Sequence, residues 1–398
     1  MPKTILVAVL SVALVCSIIL QPDASFQASL QGLAVWWNII FPGLLPFLVL
    51  YEIMLAFGLV HALGALLAPL MTRLFRLPGE AGLVLMIGLL GGYTAGTAAA
   101  ADLRKRQLIS SSQAERLQAY SHMPNPLFML VIVGAGFLHR PLTGVIIAAA
   151  VWLSALWLLL ATSLLSGKAG RIMLQSNDRA SGRLIGSAAA AMQAAREKDG
   201  RSFGTALGEA VSSGVQKLLM IGGFILCAAV FARMCEPLLS PFLTTAPFLG
   251  PALFESHLGA YAAAEWQQHA SSTAVASAIA ATLAWSGLGG ILQAVHSASG
   301  TDMRLLPFIA HRIAHALHAA LFVFLLWKPI TILAHYLSGS IAQTTSAHQP
   351  GLNVVLSPFP YSTSDLPPIW DKSLITAGVC LAACLIAVVI LKQRRWAR

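Results

Sequence analysis

Few residues in this chain could do chemistry, and they stand where a polar group is expensive to keep. Glu255 lies in the apolar stretch 251–264, within Phe254-Glu-Ser-His-Leu-Gly259. A carboxylate in such a segment is costly and as a rule serves a function. Two more ionisable groups sit inside apolar runs, Glu52 in 35–57 and Lys217 in 210–231. Glu52 could pin a helix or touch a solute, and Lys217 could attract an anion or extend its ammonium to the surface. His311, His315 and His318 recur on one helical face beside Arg312. A metal would need further ligands, so this spacing points to packing or to hydrogen bonds between helices. The polar segments hold no nucleophile–base spacing, nucleotide loop or metal cluster, which argues against an enzyme and against any cofactor.

The remaining candidates are neutral and are marked by broken helices. Gly82–Leu138 opens with an apolar run that reaches Gly91-Gly-Tyr-Thr-Ala-Gly96, leaves for the polar 102–120, and re-enters through Met123-Pro-Asn-Pro-Leu-Phe128. The second half repeats the pattern with Glu255–Gly259 and Ser286-Gly-Leu-Gly-Gly290. Glycine and proline inside apolar segments free backbone N–H and C=O groups that hydrocarbon cannot satisfy. Such breaks survive only where they are buried in protein or line a watery cavity. The substrate-binding set read from them is Gly91, Gly92, Tyr93, Thr94, Asn125, Glu255, Ser256, Ser286, Gly287 and Gln293, with no catalytic or metal residues. A broken helix also presents N–H groups at its new N-terminus, with about half a positive charge there. Two such ends, near Gly91–Gly96 and Glu255–Gly259, could face one another across a pseudo-two-fold axis and hold a planar dicarboxylate, one carboxylate at each. Glu255 would then need a proton or a cation beside it, coupling transport to H⁺ or Na⁺.

The elements that must position these residues follow from composition. Of 398 residues, 57% are hydrophobic and 10% charged, against about a quarter charged in soluble domains. The chain is therefore read as an all-α, polytopic membrane protein. Its net charge of +10 lies in loops between apolar segments, as membrane orientation requires, and does not imply nucleic acid. The five cysteines stand in or beside apolar segments at no ligand spacing and are read as buried hydrophobes. Residues 1–20 resemble a signal peptide without a small-residue cleavage pattern and are read as an uncleaved first helix. The division is 1–33, a first helix and outer loop; 34–166, a first repeat; 167–206, a basic cytoplasmic loop; 207–337, a second repeat; 338–371, an outer loop; and 372–398, a last helix and basic tail. This gives about eight transmembrane helices plus two re-entrant, broken hairpins, with both termini in the cytoplasm and an oligomer left open. Trp36, Trp37 and Trp327 are read as interface anchors.

The two halves share one order of features: a span, an interfacial arm (58–75 and 235–250), a broken hairpin, an amphipathic stretch and a second break. The spacing Gly96 to Asn125 matches that of Gly259 to Gly287 within one residue. Charge places the first hairpin inside and the second outside. An inverted repeat of this kind is the signature of a secondary transporter with its site at the repeat interface. A non-transporting membrane scaffold is the alternative from another class, and it would need neither Glu255 nor paired breaks.

At these residues the chain resembles the YlbJ family of sporulation integral membrane proteins. More distantly it is similar to the nucleoside-recognition "gate" domain of concentrative nucleoside transporters. The matching residues are Phe41-Pro-Gly-Leu-Leu-Pro-Phe47, Leu77-Pro-Gly79, Gly91–Gly96, Ala114-Glu-Arg-Leu117, Asn125-Pro-Leu-Phe128, Glu255–Gly259 and Gly287–Gln293. The chain departs from the family pattern at Thr94 and at Pro124-Asn-Pro126. The resemblance implies a role in endospore formation and transport of a small organic anion such as dipicolinate across the mother-cell membrane around the forespore. A nucleoside or another small solute is the alternative cargo.

Charge crowding in 167–201 and 392–398, with no Lys or Arg in 338–369, predicts which loops face out. In a cysteine-free background, an impermeant thiol reagent added outside should label Ser346→Cys and spare Ser181→Cys. The opposite pattern would invert the map.

Overall fold

A computed structural model describes residues 2–165 and 184–342. The outer loop 338–369 (beyond its first residues), the span 373–391, the basic tail and the start of the central loop lie outside the described residues. All regular structure among them is helical. Pro2–Leu20 is α1. Pro22–Val35 (α2) runs through a π-helical turn, Trp36–Ile40, into Phe41–Ala56 (α3). Leu59–Arg73 (α4) precedes a hairpin of Ala81–Gly91 (α5) and Tyr93–Lys105 (α6). Ser111–Ser121 (α7) is followed after a break by the π-helical segment Phe128–Phe137, then by Pro141–Leu165 (α8). The second half holds Leu184–Asp199 (α9), Phe203–Leu243 (α10) and a hairpin of Leu249–Phe254 (α11) and Ser256–Glu265 (α12). Ser272–Trp285 (α13), Gly287–Ser297 (α14) and Leu305–Ala342 (α15) complete it.

Five helical runs among the described residues are long and apolar enough to cross a membrane: Pro22–Ala56, Pro141–Leu165, Phe203–Leu239, Ser272–Ser297 and Leu305–Ala334. Several boundaries differ from those read in the sequence. Residues 22–31, expected as an outer loop, are helical and continue into α3, because Pro22 opens the helix at its first turn and nothing in Asp23–Val35 ends it. The arm expected over 235–250 begins as an extension of the span before it. Pro237 and Pro241 lie within α10, whose 41 residues reach roughly 60 Å, twice the hydrocarbon thickness. The boundary at 206/207 therefore falls inside one helix. The central loop contains α9, which packs on α4, and the Arg196 guanidinium lies 4.5 Å over the Phe57 ring.

The largest difference is α7, expected as part of a polar stretch outside the membrane. A reciprocal cap starts this helix. Ser110 Oγ accepts from the Gln113 N–H at 3.3 Å, and Gln113 Oε1 accepts from the Ser110 N–H at 3.0 Å. From Gln113 onward every residue of α7 is buried, including Glu115, Arg116 and Gln118. Arg304 donates to Glu115 from Nε (2.9 Å) and Nη2 (3.2 Å). With the π-helical segment, α7 forms a broken run matching α13–α14.

The two broken runs lie in opposite directions. Ser111, at the start of α7, bonds the Asp302 carbonyl beyond the end of α14 (3.3 Å). Arg140, past the π-helical segment, bonds Ser272 at the start of α13 (2.7 Å). Each hairpin also has its two open ends together. Gln113 ties the α7 end to Arg76 ahead of α5 (3.3 Å), and the Phe248 and Trp266 rings, at the two feet of α11–α12, are 5.1 Å apart. The hairpin tips are Gly92 and Glu255, not Gly96 and Gly259. Those glycines stand one helical turn further on, where the arms cross closely. A Cβ on Gly96 would strike the Ser121 carbonyl and come within 2.8 Å of the Gly88 Cα, and one on Gly259 would strike Ala252.

Because the obstacle at Gly96 is backbone, no side chain can move aside. Gly96→Val should cost about 1–3 kcal/mol of stability, read as a lower midpoint in a thermal-unfolding assay of the purified protein. A wild-type midpoint would show that the hairpin does not need this approach.

Candidate functional site

All four breaks open on one cavity of about 70 Å³. At roughly 10–15 Å³ of such space per water, it admits a few waters or one small solute. From the first half Gly91, Gly92, Tyr93, Thr94, Pro124 and Asn125 line it. From the second half come Glu255, Ser256, His257, Ser286, Gly290 and Gln293, and α3 and α10 close the sides with Leu44, Leu48, Lys217, Met220, Ile221 and Phe224. Nine of the ten residues chosen from the sequence are therefore brought together. The tenth, Gly287, stands behind the wall at φ +72°, where a Cβ would come within 2.7 Å of the Glu255 Cα.

The breaks differ in how their freed N–H groups are met. Gly92 has φ +86° and ψ −169°, a conformation open essentially to glycine alone. The nearest atoms to a Cβ there are 4.0 Å away, so backbone geometry rather than crowding demands the glycine. No side chain caps α6. At the second break Asn125 Oδ1 accepts from the Phe128 N–H at 2.8 Å. At the third, Glu255 Oε2 accepts from the Leu258 N–H at 2.7 Å, and Oε1 lies 2.5 Å from His257 Nδ1. At the fourth, Ser286 adopts φ +72° and leaves α14 uncapped. The sequence predicts an anion held at two ends, near Gly91–Gly96 and Glu255–Gly259, and the structure differs at the second. That N-terminus already holds the chain's own carboxylate, so the free ends are those of α6 and α14.

Arg312 holds the site from behind, and the sequence reading gave it no role. It is fully buried. Its Nη1 donates to Ala119 O and His122 O, both at 2.9 Å, and its Nη2 donates to Ala284 O. These carbonyls belong to the C-terminal turns of α7 and α13, the first halves of the two broken runs. Each such end carries roughly half a negative charge, so one guanidinium balances both. An arginine two turns into an apolar 38-residue helix was the available signal. Tyr93 Oη adds a bond to Leu283 O (2.8 Å), and His122 Nδ1 one to Tyr93 O (2.9 Å), tying the start of α6 to the same two ends.

The other candidates are placed plainly. Lys217 pairs with Glu52, joining α10 to α3 at the cavity side. His315 Nε2 bonds Val151 O of α8 at 2.9 Å, whereas His311 and His318 bond carbonyls of their own helix. Trp36 is not an interface anchor: it is buried and donates to Leu218 O at 2.9 Å, while Trp37 is exposed. Beyond the spans, the Arg104 guanidinium hydrogen-bonded to Asp302 holds that carboxyl below its ordinary range.

The chain is 35% identical to the sporulation integral membrane protein YlbJ of Bacillus subtilis (strain 168) over 350 residues, which cover 84% of this chain and 85% of that protein. No family model and no solved structure matches it.

Removing Arg312 would strand three buried carbonyls, each costing about 1 kcal/mol or more. Arg312→Met should therefore lose at least about 3 kcal/mol, with Arg312→Lys falling between it and wild type. Thermal unfolding of the three purified proteins would show this, and a wild-type midpoint for the Met variant would refute the clamp.

Proposed function

The chain belongs to the family of the sporulation integral membrane protein YlbJ, and on that premise we propose that it carries a small organic anion, of the dipicolinate type, across a membrane during endospore formation. The observation that supports this reading is the convergence of four helix breaks on one cavity, from two broken runs that lie in opposite directions. Hydrocarbon tolerates such breaks only around a polar interior, and secondary transporters bind their solutes at this kind of interface. A scaffold would gain nothing from them.

Two uncapped helix N-termini favour an anion over a neutral nucleoside. Lys217 is committed to Glu52 and offers no free counter-charge. Glu255, paired with His257 in the wall, is the group through which H⁺ or Na⁺ would be coupled. The membrane concerned is that of the mother cell around the forespore, with both termini of the chain in the cytoplasm. The protein works there without a cofactor and without enzymatic turnover.

Uptake of labelled dipicolinate into vesicles containing the purified protein tests the proposal. Wild type should accumulate it, excess nucleoside should compete poorly, and Glu255→Gln should abolish uptake while inserting at normal abundance. Efficient displacement by nucleosides would replace the anion with a nucleoside as cargo.

A further inference from the structure

We propose that one carboxylate of the solute is held where α6 begins, by its free backbone N–H groups and by the hydroxyl of Ser286 at the head of α14. This rests on the organic-anion reading above and says where the charge sits. The helices α6 and α14 pack together and both start at the cavity. They also finish together, since Arg104 near the end of α6 meets Asp302 just past α14 at 2.8 Å. Running side by side in the same direction, their dipoles add at the cavity to about one positive charge. Neither N-terminus has a side-chain cap, whereas the other two breaks are capped by Asn125 and Glu255.

The second observation is Ser286 itself. Its side chain lines the cavity, the residue is 1% exposed, and its Oγ has no hydrogen-bond partner among the described residues. The hydroxyl lies over the first turn of α14, 3.1 Å from where a Cβ on Gly290 would stand. A buried O–H of this kind calls for an acceptor. Its backbone is left-handed, where glycine would be less strained, so the position carries a hydroxyl at a conformational cost. Gln293, one turn further along α14, also lines the cavity and can donate from its amide. Glu255 lines the same cavity, with its backbone against Gly287, and its carboxylate repels a second carboxylate. The site therefore takes one carboxylate, not two placed symmetrically.

Binding to the purified full chain in lipid nanodiscs, measured calorimetrically, tests this with three probes: dipicolinate, picolinate with one carboxylate, and the neutral pyridine-2,6-dimethanol. Picolinate should bind at least as tightly as dipicolinate, and the diol should not compete. Ser286→Ala and Ser286→Gly should each weaken the two acids roughly tenfold or more, the loss expected for a hydrogen bond to a charged group. The Gly variant relieves the left-handed strain, so its unfolding midpoint should not fall, which separates lost binding from lost folding. If the acids bind both variants as tightly as wild type, this subsite is wrong and the anion carrier stands. If dipicolinate binds and picolinate does not, two carboxylates are needed and the single-charge site is refuted. If neither acid binds wild type, both readings fall.

Discussion

The structure depends on satisfying the backbone groups that four helix breaks release inside an apolar interior. A stranded carbonyl there cannot be met by solvent. The carbonyls at the ends of α7 and α13 therefore need a partner built into the fold, while α6 and α14 begin without a side-chain cap. Arg312 supplies the largest share. From the second turn of α15 its guanidinium reaches the last turns of α7 and α13 at once. Five donors on a planar, permanently charged group suit a place where two helix C-termini meet with their negative ends together. Moving either broken run would strand carbonyls of the other, so the two cross the molecule as one unit.

Close backbone approach is the complementary constraint. Gly88 and Gly96 let α5, α6 and the end of α7 come together, and Gly259 does the same for α11 and α12. Small residues are the usual means of packing helices where no hydrophobic drive exists between them. Here they bring both hairpin tips to the level at which α7 and α13 break. The cavity is thus the meeting point of four chain interruptions, held by an arginine on one side and by glycine contacts on the others.

The cavity is chemically lopsided even though its two halves are built alike. Gly92 and Glu255 occupy corresponding tips, yet one leaves its helix open and the other closes it with a carboxylate. Asn125 and Ser286 occupy corresponding breaks, and again one caps and the other does not. The result is an uncapped N-terminus at α6 and a carboxylate at the head of α12, both lining one cavity.

How much of this was legible depended on the range over which each signal acts. Breaks at Gly92, Asn125, Glu255 and Ser286 carry a local mark, glycine, proline or a polar residue in an apolar run. The same marks at Pro46, Pro237 and Pro241 nevertheless leave a helix unbroken. Such marks fixed the class of protein and nine residues of the cavity from the sequence alone. The burial of α7 was illegible, since Ser111–Ser121 is polar enough for a surface, and its partners, Arg304 on Glu115, Arg312 on Ala119 O and its own cap, come from elsewhere in the fold or from the helix start. Trp36 and Trp37 are identical in type and adjacent, and only packing against α10 decides which one is buried. The sequence by itself determined that the chain is helical, where its helices could fail and that a polar interior must exist. Only the tertiary structure decided which N-termini stay free and which charge stands at each end, because hydrogen bonds between residues distant in the chain choose among partners that composition leaves equal.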